Sequence, residues 1–228
     1  MHIKGLKPTT LVDYPGHVAA TIQMGGCNFM CPYCNRRSLV VNPDRTEDIS
    51  ADDIFDFLDS RKTAIDGVCI TGGEPLMQDG ILEFMAALQD KGFSVKLDTN
   101  GSYPTVLNRI LKDHLADYIA MDIKNSPANY PRTIGVNDLN INDVKISASF
   151  LMDGDIPYEF RTTVCRELHT FDDIETIGKW LQGARAFYLQ HYISGDDVIM
   201  PVFSSYSTED MLSMRDILQK YITAVEIR

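Results

Sequence analysis

The sequence predicts a parallel α/β fold, and three observations predict it. Short apolar runs alternate with segments of helical period along the chain, in six strand–helix units. Runs such as Val18 to Met24 are apolar almost throughout, as expected of strands covered on both faces. Polar residues then stand at the carboxyl ends of the runs, namely Cys27, Glu74, Asp98, Asp122, Arg161 and Gln190. That is the edge on which barrels collect chemistry from several strands. Periodicity alone does not separate an open doubly wound sheet from a barrel.

Residues 2 to 13, with Ile3, Leu6, Leu11 and Val12 around Pro8-Thr9-Thr10, read as a small hairpin or paired edge segment. Tyr14-Pro15-Gly16 turns the chain into the first core strand, about 17 to 24, and Gly25-Gly26 ends it with backbone free to fold tightly. Ser50 caps a helix with Asp53 at its third position and Ile54, Phe57 and Leu58 on the buried side. A second strand, 67 to 71, runs into Gly72-Gly73, and Ile81, Leu82, Met85 and Leu88 follow at helical spacing, closed by Gly92. Strand 93 to 98, the loop Thr99-Asn100-Gly101, a helix from about 103 with Pro104 in its first turn, and strand 117 to 121 ending in Asp122 repeat the unit.

Residues 125 to 140, rich in Pro, Asn and Gly, read as a mobile loop over the site. Val144 to Leu151 has the composition of a strand, but the rhythm of the units makes 142 to 152 a helix. Strand 158 to 164 comes next, then a helix capped by Thr170 with Asp173 and carrying Ile174, Ile177, Trp180 and Leu181. Strand 185 to 190, the loop 191 to 206, a helix from Ser207 to about 221 and a short strand at 225 to 227 follow.

A chain of 228 residues suffices for one well-buried domain, expected to span 1 to 228. Its apolar fraction of 44% and charged fraction of 23% are those of a globular protein. No apolar run approaches the roughly 20 residues that span a bilayer, and Met1 to Asp13 lacks the apolar core of a secretory signal. No membrane association and a cytoplasmic location are therefore expected. The net charge of -11 excludes a nucleic-acid surface, which needs clustered Lys and Arg. Five cysteines, an odd number, suit a reducing compartment.

The strongest local signal is Cys27-Asn28-Phe29-Met30-Cys31-Pro32-Tyr33-Cys34. Thiols this crowded are metal ligands, a redox pair or a disulfide knot. With only Cys69 and Cys165 left over, both isolated in predicted strands, a disulfide scaffold is excluded. Structural zinc takes four protein ligands, and catalytic zinc usually mixes in His or carboxylate. Three thiolates with no fourth nearby suit a cubane iron–sulfur cluster whose remaining iron takes a ligand from outside the protein. His2, His17, His114 and His169 have no metal-ligand spacing and read as surface or capping residues.

This spacing, with an aromatic residue just before the third cysteine and Gly72-Gly73-Glu74-Pro75 downstream, resembles the radical S-adenosylmethionine (AdoMet) enzymes. Within them it is most similar to the activating enzymes of glycyl radical proteins, above all those serving anaerobic ribonucleoside-triphosphate reductase. The resemblance implies a partial (β/α)6 barrel, open on one side and preceded by a short N-terminal hairpin. It implies a [4Fe-4S] cluster on Cys27, Cys31 and Cys34, with AdoMet on the open iron. Tyr33 would pack near adenine, Gly72 and Gly73 would lie beside the methionyl part, and Glu74 would accept from its amino group. Asp98-Thr99-Asn100-Gly101 and Met121-Asp122-Ile123-Lys124 resemble two further motifs of that group, which make Asp98, Thr99 and Asp122 candidate cation ligands and place ribose contacts around Asn100. Lys124 would meet the AdoMet carboxylate, Arg161 would reach AdoMet, and either Gln190 or His191 would add a contact. Asn35-Arg36 departs from the His-Asn that many activating enzymes carry after the third cysteine.

The activity so implied is one-electron cleavage of AdoMet to a 5'-deoxyadenosyl radical that abstracts hydrogen from a glycine of the partner reductase. Reduced flavodoxin or ferredoxin would be the electron donor. Such donors are acidic, and Lys4, Lys7, Arg36, Arg37 and Arg45 outnumber Asp13 and Asp44 in the first 45 residues, a basic collar on an acidic chain. The rivals are a radical AdoMet enzyme with a small-molecule substrate and a noncatalytic metal-binding structural protein.

Overall fold

A computed structural model describes all 228 residues. Its strands are β1 (Ile3–Thr10), β2 (Ala19–Met24), β3 (Gly67–Gly72), β4 (Ser94–Thr99), β5 (Tyr118–Asp122), β6 (Tyr158–Val164), β7 (Ala186–His191) and β8 (Ala224–Ile227). The helices are α1 (Arg37–Val40), α2 (Ala51–Ser60), α3 (Ile81–Asp90), α4 (Pro104–Lys112), α5 (Tyr130–Ile134), α6 (Ile141–Asp153), α7 (Phe171–Trp180) and α8 (Thr208–Leu218). The strands form one open sheet in sequential order, β1 to β8. β1 runs antiparallel to β2 and supplies the N-terminal hairpin. Strand–helix alternation from β2 to β7 gives the expected (β/α)6 arrangement, to which β8 adds a parallel edge strand.

The chain divides into two compact units. The first comprises residues 1–28, 38–99 and 103–119. Its β2 and β3 pair in register from Ala19↔Gly67 to Met24↔Gly72, so the loops after both strands leave from the same edge. Ile22, Met24, Ile54, Leu58, Ile70, Met85 and Leu88 fill its core. Ser50 accepts from the Asp53 amide to start α2, and Pro104 opens α4.

The second unit comprises residues 29–37, 100–102 and 120–228, and its largest buried side chains are Tyr130, Phe160 and Phe187. Thr170 and Asp173 form a reciprocal capping box at the head of α7, and Ser207 caps α8. The segment expected as a helix over 142 to 152 is α6, despite its β-branched composition. The last helix ends at Leu218, short of 221.

Two expectations are corrected. Residues 125 to 140 are not a loose cover but carry α5, and Asn125, Tyr130, Thr133 and Ile134 are fully buried. The Asn125 amide donates to Thr133 Oγ1 and to the Leu168 carbonyl, both at 2.8 Å, which ties the segment into the core. His169 is likewise fully buried rather than at the surface. Cys69 and Cys165 are buried and in no disulfide, as expected.

Candidate active site

In the first unit the site is built where β2 and β3 end together. The Gly73 amide donates to the Met24 carbonyl at 2.8 Å and the Glu74 amide to the Gly26 carbonyl at 2.9 Å. Backbone therefore packs on backbone, leaving no room for side chains. A Cβ on Gly73 would lie 1.7 Å from the Gly26 oxygen, and one on Gly72, whose φ is +119°, would lie 2.3 Å from the Met24 nitrogen and oxygen. Both glycines clear space for the chain that leads into Cys27.

Glu74 is fully buried and caps the turn Pro75–Met77, its Oε1 accepting from the Leu76 amide at 3.0 Å and from Thr99 Oγ1 at 2.7 Å. Asp98 on β4 is paired with the ammonium of Lys96, two residues earlier and so on the same strand face. Tyr103, at the head of α4, has its hydroxyl pKa raised by burial and by the nearby charges of Glu74 and Cys27. Sequence reasoning passed over both Lys96 and Tyr103. The period of two in β4 was the signal for Lys96; for Tyr103 there was none.

In the second unit the cysteine loop is held by backbone bonds on two sides. Met30 donates to the Ile134 carbonyl at the end of α5 (2.9 Å), while Ile199 and Met200 donate to the carbonyls of Cys34 (3.0 Å) and Pro32 (2.8 Å). Gly135, in the left-handed region at φ +70°, lets α5 end against Met30, whose oxygen would lie 2.3 Å from any Cβ there. Cys31 is buried and its thiol is pushed up to about 12 by burial, with Lys124 opposing and Cys34 reinforcing the shift. Cys34, like Cys27, is partly accessible.

Asp122 sits between two cations, its Oδ2 2.9 Å from Lys124 Nζ and its Oδ1 2.9 Å from Arg161 Nε. Burial pushes its carboxyl up, but Arg161 and Lys124 more than offset this and hold it well below the usual carboxylate range. Burial likewise opposes the charge on Lys124, and Asp122 carries its ammonium well above the ordinary value. The Lys124 backbone is fixed as well, its amide donating to Tyr130 Oη at 3.1 Å and its carbonyl lying 2.8 Å from His169 Nε2. The second His169 nitrogen accepts from the Cys165 amide at 3.1 Å, so the proton sits on Nε2 and donates to Lys124.

Burial holds the His169 imidazole below its ordinary value. The folded ring therefore takes up its proton only at a lower pH than the unfolded chain, which does so below about pH 6.5. The stability contributed by the neutral ring is full above that pH and falls as pH drops through the interval between the two. Urea midpoints are expected to slope across this range in the wild type and less so in His169→Gln; equal slopes would refute the neutral ring.

Asn100 is 5% exposed and its Oδ1 accepts from the Ser102 amide and hydroxyl, at 2.9 and 2.6 Å, shaping the turn after β4. Thr163 and Gln190 are register partners, with Thr163 Oγ1 3.3 Å from Gln190 Oε1. Because Thr163 lies two residues beyond Arg161, Gln190 shares the Arg161 face. His191 points the other way, with Nδ1 3.2 Å from Ser205 Oγ. The two candidates therefore face opposite sides of β7.

The donor set fits a thiolate-held iron–sulfur group, since Cys27, Cys31 and Cys34 are in no disulfide. No three His, Cys, Asp or Glu side chains stand together as a ready-made metal set, so the ligand assignment rests on spacing and on the loop. Two buried side-chain polar atoms that lack a partner, Tyr33 Oη and Arg36 Nη1, belong to that loop. Buried polar atoms are rarely left unpaired, and both are donors suited to a polar or anionic ligand. The Tyr33 ring stands edge-on to His169, with centroids 6.2 Å apart.

Residues 21–180 match the Radical SAM superfamily. Over 233 aligned positions the chain is 28% identical to a Methanocaldococcus jannaschii protein provisionally named a glycyl-radical enzyme activating enzyme, covering 99% of this chain and 95% of that one. It is 32% identical over 143 residues to 7-carboxy-7-deazaguanine synthase from Clostridium acetobutylicum, covering 60% of this chain and 63% of that protein. Among solved structures, QueE from Escherichia coli superposes with a TM-score of 0.59 at 17% identity, covering 99% of this chain and 92% of that one, a likeness of fold.

Proposed function

Since the chain belongs to the radical SAM superfamily, we propose that it is an activating enzyme that places a glycyl radical on a partner protein, an anaerobic ribonucleoside-triphosphate reductase. Residues 1–228 act in this reading as one cytoplasmic catalytic domain. The observation that carries it is the end-to-end similarity to the M. jannaschii protein, since the match spans 99% of one chain and 95% of the other.

Cys27, Cys31 and Cys34 would hold a [4Fe-4S] cluster, and AdoMet would complete it. When bound, these cofactors supply one-electron cleavage of a sulfonium and hence a carbon radical able to take hydrogen from glycine. The chain's own residues bind and orient. Glu74, already fixed by Leu76 and Thr99, keeps a carboxylate oriented for an ammonium. Lys124 and Arg161, held by Asp122, present cations to a carboxylate. Gln190 lines the Arg161 face, Thr99 and Asn100 shape the turn that ends β4, and Tyr33 supplies an aromatic surface for adenine. Arg36 and Arg37 flank the third cysteine in sequence and would guide an acidic flavodoxin or ferredoxin.

The similarity to 7-carboxy-7-deazaguanine synthase favours a second reading, a small-molecule substrate. One experiment separates the two. The anaerobically reconstituted protein is given AdoMet, reduced flavodoxin and the anaerobic reductase of the same organism, and electron paramagnetic resonance is recorded. A glycyl doublet on the reductase is expected, together with 5'-deoxyadenosine. AdoMet cleavage with no doublet would move the assignment to a small substrate, and no cleavage at all would overturn both readings.

A further inference from the structure

Resting on that reading, we propose that Lys96 is a built-in cation: its ammonium neutralises Asp98 so that the AdoMet site needs no bound sodium, potassium or magnesium ion. Lys96 is 2% exposed, which is exceptional for lysine. Its ammonium bonds Asp98 and lies 3.8 Å from the sulfur of Cys69, its register neighbour on β3. A charge so removed from water is tolerated only when paired, and the pairing fixes where both groups point.

A hard cation needs several oxygen ligands at once, and the carboxylates expected to supply them are already paired with side-chain cations. One Asp98 oxygen takes the Lys96 ammonium. The Thr99 hydroxyl donates to Glu74 Oε1 at 2.7 Å. The two Asp122 oxygens take Lys124 and Arg161, each at 2.9 Å. An inorganic ion added at Asp98 would sit against an ammonium and be repelled by it. Neither carboxylate, each so paired within its own unit, fits a bound cation, and each fits a site whose positive charge comes from side chains. Lys96 in this account is a positioning residue: it pairs with Asp98 and keeps it aimed, and AdoMet meets the carboxylate rather than the lysine.

The cluster-free protein is to be melted in choline chloride and in sodium, potassium and magnesium chlorides at matched ionic strength. AdoMet affinity of the reconstituted enzyme is measured in the same salts. Wild-type melting is expected to differ by less than about 1 °C among them, and affinity by less than about twofold. Lys96→Met is expected to melt lower in choline and to regain roughly 5 °C in saturating sodium or potassium, as the ion takes the vacated carboxylate. A saturable rise in wild-type melting with any inorganic ion, or an affinity about tenfold tighter than in choline, would overturn the proposal. So would a Lys96→Met protein as stable as wild type in choline. Should that variant fail to fold, the wild-type salts still decide. Should AdoMet bind in no salt, the radical reading fails, while the melting series still tests Lys96.

Discussion

Alanine at any one of Cys27, Cys31 and Cys34 is expected to take bound iron from roughly four per chain to near zero, and AdoMet cleavage to background. Two thiolates do not hold a cubane that already relies on three. The three variants are nevertheless expected to differ without iron, because their surroundings differ. Cys27 and Cys34 are partly accessible, so C27A and C34A should melt within a degree or two of the cluster-free wild type, about the effect of a surface change. Cys31 is buried among the residues that α5 holds in place, so C31A also removes packing and should cost about 1–2 kcal/mol. Iron content, visible absorbance and 5'-deoxyadenosine release read the first effect, and urea unfolding of the iron-free protein reads the second. Retention of full iron by any of the three variants would remove that cysteine from the ligand set.

The difference between Cys31 and its neighbours shows what the sequence left unsaid. The spacing marks three thiols as candidate ligands, but nothing in Cys27-Asn28-Phe29-Met30-Cys31 says which thiol is buried. That depends on α5 and on Ile199 and Met200, which bond the loop from far along the chain. For the same reason 125 to 140 was misread. Pro, Asn and Gly are as frequent in a mobile loop as in a tightly bonded one, and the partners of Asn125 lie at Thr133 and Leu168. His169 carried no spacing signal because it binds no motif; it braces the Lys124 carbonyl across 45 residues. What local rules do reach was legible. Ser50, Thr170 and Ser207 cap the helices they were expected to cap, and α6 forms because the alternation of units outweighs the β-branched content of Val144 to Leu151. The strand ends at or near Glu74, Asp98 and Asp122 were also legible, since parallel strands share one polarity, whereas Arg161 lies in the middle of β6 and not at its end.

Gly73→Ala is expected to be as damaging as the loss of a cysteine, though no ligand would be touched. Gly73 is not among the glycines with positive φ, so the backbone conformation itself would accept alanine. The obstacle is contact: the new Cβ would fall 1.7 Å from the Gly26 oxygen, 2.5 Å from the Gly26 carbonyl carbon and 3.3 Å from the Cys27 nitrogen. Either the Glu74 amide gives up the Gly26 carbonyl or the chain entering Cys27 moves away. Both outcomes displace groups assigned to the cofactors, the first Glu74 and the second Cys27. A loss of about 2–4 kcal/mol in stability is expected, in the range of overpacked or broken backbone contacts, together with loss of iron and of AdoMet binding. Gly183 provides the control. Its φ is +94° and nothing lies within 4 Å of its missing Cβ, so G183A meets only the cost of a left-handed residue, about 1–2 kcal/mol, and should retain its iron. If G73A binds iron and AdoMet as wild type does, the close approach of β3's end to the Cys27 strand is not what positions the site. If both variants lose iron equally, general destabilisation rather than that approach explains the result.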